Sequence, residues 1–236
     1  MKNIIVGLFL FVVASITAQS EVSVKLEKID ELKVFNGLRI NLIKSDVQKL
    51  EIFGEKAGEV TFRIKKGTLR LGLKLGSSFD ARKVKIDLYY NSNIDELDVN
   101  QGAVISSKDV FKQEQVMVSS QEGSYIKLDI DVNHIKIKGI TGGNIQLNGT
   151  AKSQKVSLLS GASYEGFGLA SGQAILYVST GSNAEVKASE LLDGKAKFGG
   201  NILYTGKPKL VTIEESLGGK VLEYKDKLKL TTEVKS

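Results

Sequence analysis

The residues best spaced for chemistry in this chain are two glutamates. Glu165 and Glu185 lie 20 positions apart, about one unit of the repeat described below. If they stack on neighbouring units, the two carboxylates could serve as acid and base in a glycan-processing enzyme, because such enzymes use paired carboxylates. Two outward-facing glutamates are usually just solvated, so the pair does not by itself indicate catalysis.

The remaining titratable residues are weaker candidates for catalysis or metal binding than the two glutamates. His134 is the only histidine, so one chain cannot build a metal site with two histidines, and a Ser–His relay could run only through this residue. Five acidic residues form two short groups, Asp129 with Asp131 and Asp95 with Glu96 and Asp98. Calcium takes six to eight oxygen ligands, which neither group approaches. We therefore expect no catalytic residue, no cofactor and no metal site.

A polar column could form where short side chains recur two positions after each turn. Its members are Asn144, Ser163, Asn183 and Asn201. Such side chains bond readily to nearby backbone groups, so we expect the column to complete the turns rather than to bind a ligand. Four aromatic residues could be exposed: Tyr89, Tyr125, Phe167 and Tyr177. They are too scattered to form a stacking platform for a glycan.

The element that would position these residues is a repeat anchored by glycine. The anchors recur every 18 to 21 residues, at Gly102, Gly123, Gly142, Gly161, Gly181 and Gly199. Five positions before them lie Leu97, Val118, Ile137, Val156, Leu176 and Gly194. Three positions after them lie Ile105, Ile126, Ile145, Tyr164, Ala184 and Ile202. Two such columns are typical of stacked units that bury like residues together.

One unit is a short strand, a glycine turn and a second short strand, too small to enclose a core alone. The residue after each anchor is small, as a crowded stacked corner requires: Ala103, Ser124, Gly143, Ala162, Ser182 and Gly200. We therefore predict an all-β solenoid over about residues 97–205. An antiparallel β-sandwich is the alternative, although sandwich strands usually recur at a spacing of about 8–12 residues.

Period-two alternation also marks the first half of the chain. It is regular in residues 38–42, 50–52, 60–64, 69–75 and 84–90. The third and fourth of these segments flank Lys65-Lys66-Gly67-Thr68 and predict a β-hairpin. We expect these antiparallel strands to continue or cap the solenoid. The pattern leaves open whether residues 34–96 are extra turns or a separate cap.

The N-terminus predicts export. Lys2 precedes an apolar run from Ile4 to Ala14, which is too short to span a bilayer, and small residues follow up to Ala18. This pattern is typical of a signal peptide cleaved after Ala18. The chain has no cysteine, which removes disulfides and the lipid-attachment residue of a bacterial lipoprotein. We expect a periplasmic or extracellular protein with no transmembrane segment in the mature chain.

The charge is mildly basic. Without Lys2, 32 of the 33 Lys and Arg residues remain against 27 Asp and Glu residues, a net charge of +5. The excess is spread along the predicted strands, for example at Arg63, Lys65, Lys66, Lys83, Lys85, Lys136 and Lys138. No block of five or six like charges occurs, so nucleic acid is not an expected partner. Such a face could favour an acidic glycan or a membrane surface, although basic side chains on an outer sheet face are most often simply solvated.

The order of several short blocks resembles a known family. The blocks are Phe35-Asn-Gly-Leu-Arg-Ile-Asn-Leu, Leu50-Glu-Ile-Phe-Gly54, Gly67-Thr-Leu-Arg-Leu, Val84-Lys-Ile-Asp-Leu, Leu97-Asp-Val, Tyr204-Thr-Gly-Lys-Pro208 and Ser216-Leu-Gly-Gly219. Together they resemble the family described as putative auto-transporter adhesin, head GIN domain, which is common in secreted proteins of Bacteroidetes. The resemblance covers about residues 35–220 and implies an extracytoplasmic all-β domain with a right-handed β-helical part. It implies no particular ligand.

These observations divide the chain into four segments. They are a signal peptide (1–18), an N-terminal lead-in (19–33), an adhesin-like GIN-type all-β domain (34–220) and a C-terminal strand or tail (221–236). The expected function is a non-catalytic, extracytoplasmic binding or surface-interaction module. The sequence does not identify its partner, for which an acidic glycan and an envelope protein are the candidates. A glycan-processing β-helix enzyme and a purely structural envelope protein are the alternatives.

Overall fold

The computed structural model describes residues 21–77 and 81–224, which fold into an almost entirely β structure. The 17 strands of this part are β1 (Glu21–Lys25), β2 (Glu31–Val34), β3 (Arg39–Lys44), β4 (Lys49–Phe53), β5 (Val60–Lys65), β6 (Thr68–Leu73), β7 (Lys85–Tyr90), β8 (Glu96–Val99), β9 (Val104–Ser107), β10 (Phe111–Gln121), β11 (Tyr125–Ile140), β12 (Asn144–Leu159), β13 (Ser163–Ser179), β14 (Asn183–Lys197), β15 (Asn201–Thr205), β16 (Leu210–Ser216) and β17 (Lys220–Glu223). Two 3₁₀ helices, Ala57–Glu59 and Ala81–Lys83, accompany them. No helix of the described residues is long and apolar enough to cross a membrane. The predicted signal peptide lies outside the described residues.

Successive repeat units pair in parallel and stack into a β-solenoid of about seven turns. β11 pairs with β12, β12 with β13, and β13 with β14, all in parallel. The first part of β11 pairs with β9 and its last part with β10, so one long strand serves two faces. This parallel order confirms the solenoid and distinguishes it from the antiparallel sandwich that was the alternative.

The two faces are named here by their position relative to the glycine turn. The entry face holds the strands that lead into a turn: β2, β8, β10, the later halves of β11 to β14, and β16. The exit face holds the strands that follow it: β3, β9, the first halves of β11 to β14, β15 and β17. Inward side chains of both faces meet in one continuous apolar core.

The glycine anchors form a column of stacked turns. In each turn the anchor and the preceding residue both have positive φ, as at Gln101 (56°) and Gly102 (71°). This pair of angles is that of a type I′ turn, which favours glycine because glycine has no Cβ. The anchor N–H donates to a carbonyl of the next turn, as from Gly102 to Glu122 (3.0 Å). Gly37 and Gly218 extend the column beyond the predicted anchors.

The apolar columns predicted around each anchor are buried. Ile105, Ile126 and Ile145 are consecutive register partners, and each is at most 1% exposed. The small residues after the anchors are also fully buried, among them Ala103, Ser124, Ala162 and Ser182. Like residues therefore stack on like residues along the solenoid axis, as the spacing predicts.

At the N-terminal end, chain order and spatial order differ. β2 and β3 form the first turn and pair directly with β8 and β9, although β4 to β7 lie between them in sequence. The predicted hairpin is present as β5 and β6, and β6 extends the entry face beyond β2. β7, β4 and β1 extend the exit face beyond β3. Residues 34–96 thus complete the first turn and also cap it, and β1 and β2, from the predicted lead-in, are part of the sheet.

Candidate functional site

Glu165 and Glu185, the carboxylates expected to stack, are register partners on β13 and β14 of the exit face. Glu165 is exposed and Glu185 is half-buried. The pKa of Glu185 is raised above its ordinary value of 4.5, first by burial and then by the negative charge of Glu165. The two glutamates therefore lie side by side on adjacent turns, as expected from their spacing in the sequence.

The surroundings of the two glutamates differ from those of a glycosidase site. Glu185 lines a shallow cavity of about 430 Å³ together with Asn183, Asn201 and Lys220, whereas Glu165 does not line it. In glycosidases the two carboxylates flank the bond that is cleaved, inside one cleft. This arrangement gives one carboxylate access to a ligand and leaves the other on an open strand face.

The acidic pair on β11 is already engaged by the next turn of the solenoid. Asp129 accepts a hydrogen bond from the Asn148 amide (2.9 Å) and Asp131 accepts one from the Thr150 hydroxyl (3.1 Å). Lys112 lies 2.7 Å from Asp131, and the pKa of that carboxyl is lowered by the hydrogen bonds from Lys112 and Thr150 and then by the charge of Lys112. These contacts link neighbouring turns to one another.

The second acidic group surrounds a lysine. Glu96 and Asp98 each lie 3.7 Å from the Lys33 ammonium, and Glu31 lies 3.8 Å from it. Among the described residues no group of three or more His, Cys, Asp or Glu side chains could hold a metal ion.

His134 forms a pair with a serine. Its Nδ1 lies 2.8 Å from Ser153 Oγ, and the imidazole is exposed at the corner where β11 changes face. A catalytic histidine needs a third group to orient it, commonly a carboxylate. In residues 21–77 and 81–224, no carboxylate side chain accepts a hydrogen bond from the ring to supply that group. The contact is that of a surface strand residue bonding to the next turn.

The polar column completes turns, as its residue types suggest. Asn144 Nδ2 donates to the Gly142 carbonyl (2.8 Å). Asn201 Nδ2 donates both to the Gly199 carbonyl (3.2 Å) and to Asn183 Oδ1 (3.0 Å). The amides thus cap the glycine turns and link adjacent turns.

A buried polar network crosses the core and is not apparent from the spacing. Tyr164, 1% exposed, donates from its hydroxyl to Gln154 Oε1 (2.9 Å). Gln154 Nε2 donates to Ser171 Oγ (2.8 Å), which donates to the Lys187 carbonyl (2.8 Å). Burial raises the pKa of Tyr164, so its hydroxyl stays protonated and can donate. The only sequence signal is a Gln and a Ser at inward positions.

A further candidate site, which is not apparent from the sequence, lies at the N-terminal end, in a cleft of about 560 Å³ on the outer surface of the entry face. Arg63 of β5 and Arg70 of β6 are cross-strand partners at this cleft. The Arg70 guanidinium stacks over the Phe35 ring, 4.5 Å from its centroid. We call this site the arginine cleft; it is also lined by Asn36, Thr61, Phe62, Leu71, Gly72 and Gln101.

Two amides fix the wall of the arginine cleft beside the first turn. Asn36 Nδ2 donates to Gln101 Oε1 (2.9 Å), and Asn36 Oδ1 accepts from the Leu73 N–H (3.2 Å). The Gln101 oxygen is therefore occupied, while its NH₂ group makes no hydrogen bond within the described residues. A Cβ atom at Gly72 would lie 3.2 Å from Asn36 Oδ1 and 3.9 Å from Thr61 Oγ1. Because glycine has no side chain, the space between these two residues stays open as part of the cleft.

The family can now be assigned. The model of the family described as "Putative auto-transporter adhesin, head GIN domain" matches residues 28–208. The chain belongs to this family. None of the curated proteins matches it.

Solved structures share the fold over nearly the whole described chain. A putative adhesin from Bacteroides fragilis superposes with a TM-score of 0.77 at 14% identity, covering 88% of this chain and 97% of that one. A putative lipid binding protein from Parabacteroides distasonis gives 0.66 at 15% identity, covering 88% and 97%. A putative adhesin from the same organism gives 0.64 at 21% identity, covering 87% and 97%. At these identities the likeness is one of fold.

Proposed function

We propose that this head GIN domain protein is an exported, non-catalytic binding module that works at or outside the cell envelope. The family match over residues 28–208 is the observation that carries the proposal. Two structural neighbours with the same fold, from Bacteroides and Parabacteroides, are themselves described as putative adhesins.

The chemistry of the surface supports binding over catalysis. The carboxylates of Glu165 and Glu185 do not share a cleft, and the Ser153–His134 contact is exposed. The arginine cleft, by contrast, offers charge and hydrogen-bond donors on a hydrogen-bonded sheet that need not rearrange to receive a ligand.

A glycan array run beside an activity screen on acidic polysaccharides tests the proposal. Binding without turnover is the expected result. The enzyme alternative makes the opposite prediction, namely turnover that is abolished by Glu165→Gln and retained in Glu122→Gln, a control on an exposed turn glutamate. Silence in both assays would favour the structural envelope role, which a pull-down from envelope extracts would then test.

Export is tested separately. Mass spectrometry of the mature protein from a native host should find cleavage near Ala18 and no lipid modification, because the chain has no cysteine. A full-length product in the cytoplasm would overturn this part of the proposal.

A further inference from the structure

We propose that the arginine cleft binds a carboxylate-bearing sugar, such as a uronic acid unit of an acidic polysaccharide, with Arg63 and Arg70 receiving the carboxylate. This inference rests on the proposed binding function and adds the class of ligand and its site. Its support has four parts: charge without a partner among the described residues, a fixed guanidinium, donors for hydroxyl groups, and little exposed apolar surface at the cleft.

The first part is the charge. Arg63 and Arg70 are direct cross-strand partners, an arrangement that is unfavourable for like charges. In residues 21–77 and 81–224 neither guanidinium has an ion pair or donates a side-chain hydrogen bond. Lys33, the next cation in the same row of strands, has three carboxylates within 3.8 Å. Among the described residues, one cation of the row is therefore neutralised and the two at the cleft are not, so these two can receive an external anion.

The second part is that one guanidinium is fixed before any ligand arrives. Arg70 lies over the Phe35 ring, and such stacking holds the planar group by a cation–π interaction. A guanidinium presents two parallel N–H groups that match the two oxygens of a carboxylate. Arg63, opposite on β5, can approach the same anion from the other side.

The third part is the set of polar groups beside the two arginines. The Gln101 NH₂ group is oriented by the bond that its oxygen accepts from Asn36, and the Thr61 hydroxyl lies on the opposite side of Gly72. These groups can bond to the hydroxyls of a sugar ring. A volume of about 560 Å³ falls in the usual range for small-ligand sites.

The fourth part separates a sugar from an anionic lipid surface. A protein that docks on a membrane combines cations with exposed apolar side chains that enter the lipid. Among the described residues that line the cleft, Phe62 is the one large apolar side chain that is exposed, at 37%. The exposed apolar residues Leu210, Val211 and Ile213 lie at the other end of the solenoid, on β16. The cations of the cleft are thus accompanied by amides, a hydroxyl and a single exposed aromatic ring, which is less apolar surface than docking on a membrane uses.

Isothermal titration calorimetry with tetragalacturonate tests the site. Wild-type protein should bind it, and its methyl ester, which keeps the sugar and removes the charge, should bind at least about tenfold more weakly. Arg63→Gln/Arg70→Gln should weaken binding of the acid by a similar factor. Gly72→Val should also weaken it, because the new side chain enters the cleft without changing the charge.

The matched control is Lys136→Gln/Lys155→Gln. These two exposed lysines are also register partners on the entry face, so this variant removes the same charge at a distance from the cleft. It should bind tetragalacturonate as wild type does. Thermal melts of each variant will show that it is folded.

Several results would overturn the inference. Equal affinity for the acid and its ester, or equal losses in the arginine and lysine variants, would mean that the cleft does not recognise the carboxylate. Binding to phosphatidylglycerol vesicles without binding to tetragalacturonate would assign the cations to a lipid. Binding of other glycans on an array, without tetragalacturonate, would reject this ligand class and leave the binding function intact, whereas turnover of a glycan would reject the binding function itself.

Discussion

Glu165 and Glu185 are register partners on adjacent turns of the solenoid, and the pKa of Glu185 is raised first by burial and then by the negative charge of Glu165. Because this pKa is raised in the folded state, ionisation of Glu185 opposes folding. The associated stability is fully present below the pKa of the unfolded chain and is lost as pH rises through the folded value.

Glu185→Gln should therefore be slightly more stable than wild type at pH 7, by about 0.5 kcal/mol, since a partly solvated pair is screened. The difference should vanish when the pH is lowered below the ordinary value of 4.5. Chemical denaturation at several pH values measures this. Glu190→Gln, at an exposed site on the same strand, is the control; identical pH profiles for the two variants would contradict the prediction.

Ile126 is a sensitive position in the core. It is 0% exposed and lies between Ile105 and Ile145 in the column that follows the turns. Ile126→Asp should unfold the domain, because a carboxylate there would be buried without a partner. Ile126→Val should keep the fold and lose about 1 kcal/mol. Circular dichroism melts distinguish these outcomes, and a cooperative melt of Ile126→Asp near the wild-type temperature would refute the stacked core.

Substitution by alanine should have different effects at a glycine anchor, such as Gly161, and at the glycine that follows an anchor, such as Gly143. A Cβ at Gly143 would fall on the Ser120 carbonyl of the previous turn, whereas a Cβ at Gly161 would meet open space at a φ of +75°. Gly161→Ala should cost about 1 kcal/mol through backbone strain alone. Gly143→Ala should cost more, about 2–3 kcal/mol, because the stacked turns must move apart. Urea denaturation compares the two, and equal costs would mean that the corner is not crowded.

The two arginines of the cleft should differ in what they contribute to stability. Arg63→Gln should leave stability unchanged or raise it by up to about 1 kcal/mol, because it removes a like charge opposite Arg70. Arg70→Gln should cost about 0.5–1 kcal/mol, since it loses the stacking on Phe35. Thermal melts without ligand measure both. A loss of more than about 1 kcal/mol in Arg63→Gln would show that Arg63 has a structural role.

Much of the solenoid can be predicted from the sequence because its constraints are local and repeated. A type I′ turn needs positive φ at two residues, which selects glycine at Gly102 and its equivalents. Stacking then aligns inward residues such as Ile126 and Ile145 at fixed offsets from the turn. The same spacing correctly placed Glu165 beside Glu185.

The rest depends on pairings that are distant in sequence. Nothing in residues 31–44 shows that β2 and β3 will lie against β8 and β9, some 60 residues later. The hairpin of β5 and β6 could be predicted, but its register, and therefore the meeting of Arg63 with Arg70, could not. Whether a cation lacks a counter-ion is also a tertiary property, as the contrast with Lys33 shows.

The most direct test of the central claim, binding without turnover, is recovery of a bound ligand. A glycan identified on the array is incubated with the protein at a concentration that saturates binding, released by denaturation and weighed by mass spectrometry. The account predicts that the glycan returns with its mass and chain length unchanged. Shortened or unsaturated products that disappear with Glu165→Gln would contradict it and establish an enzyme.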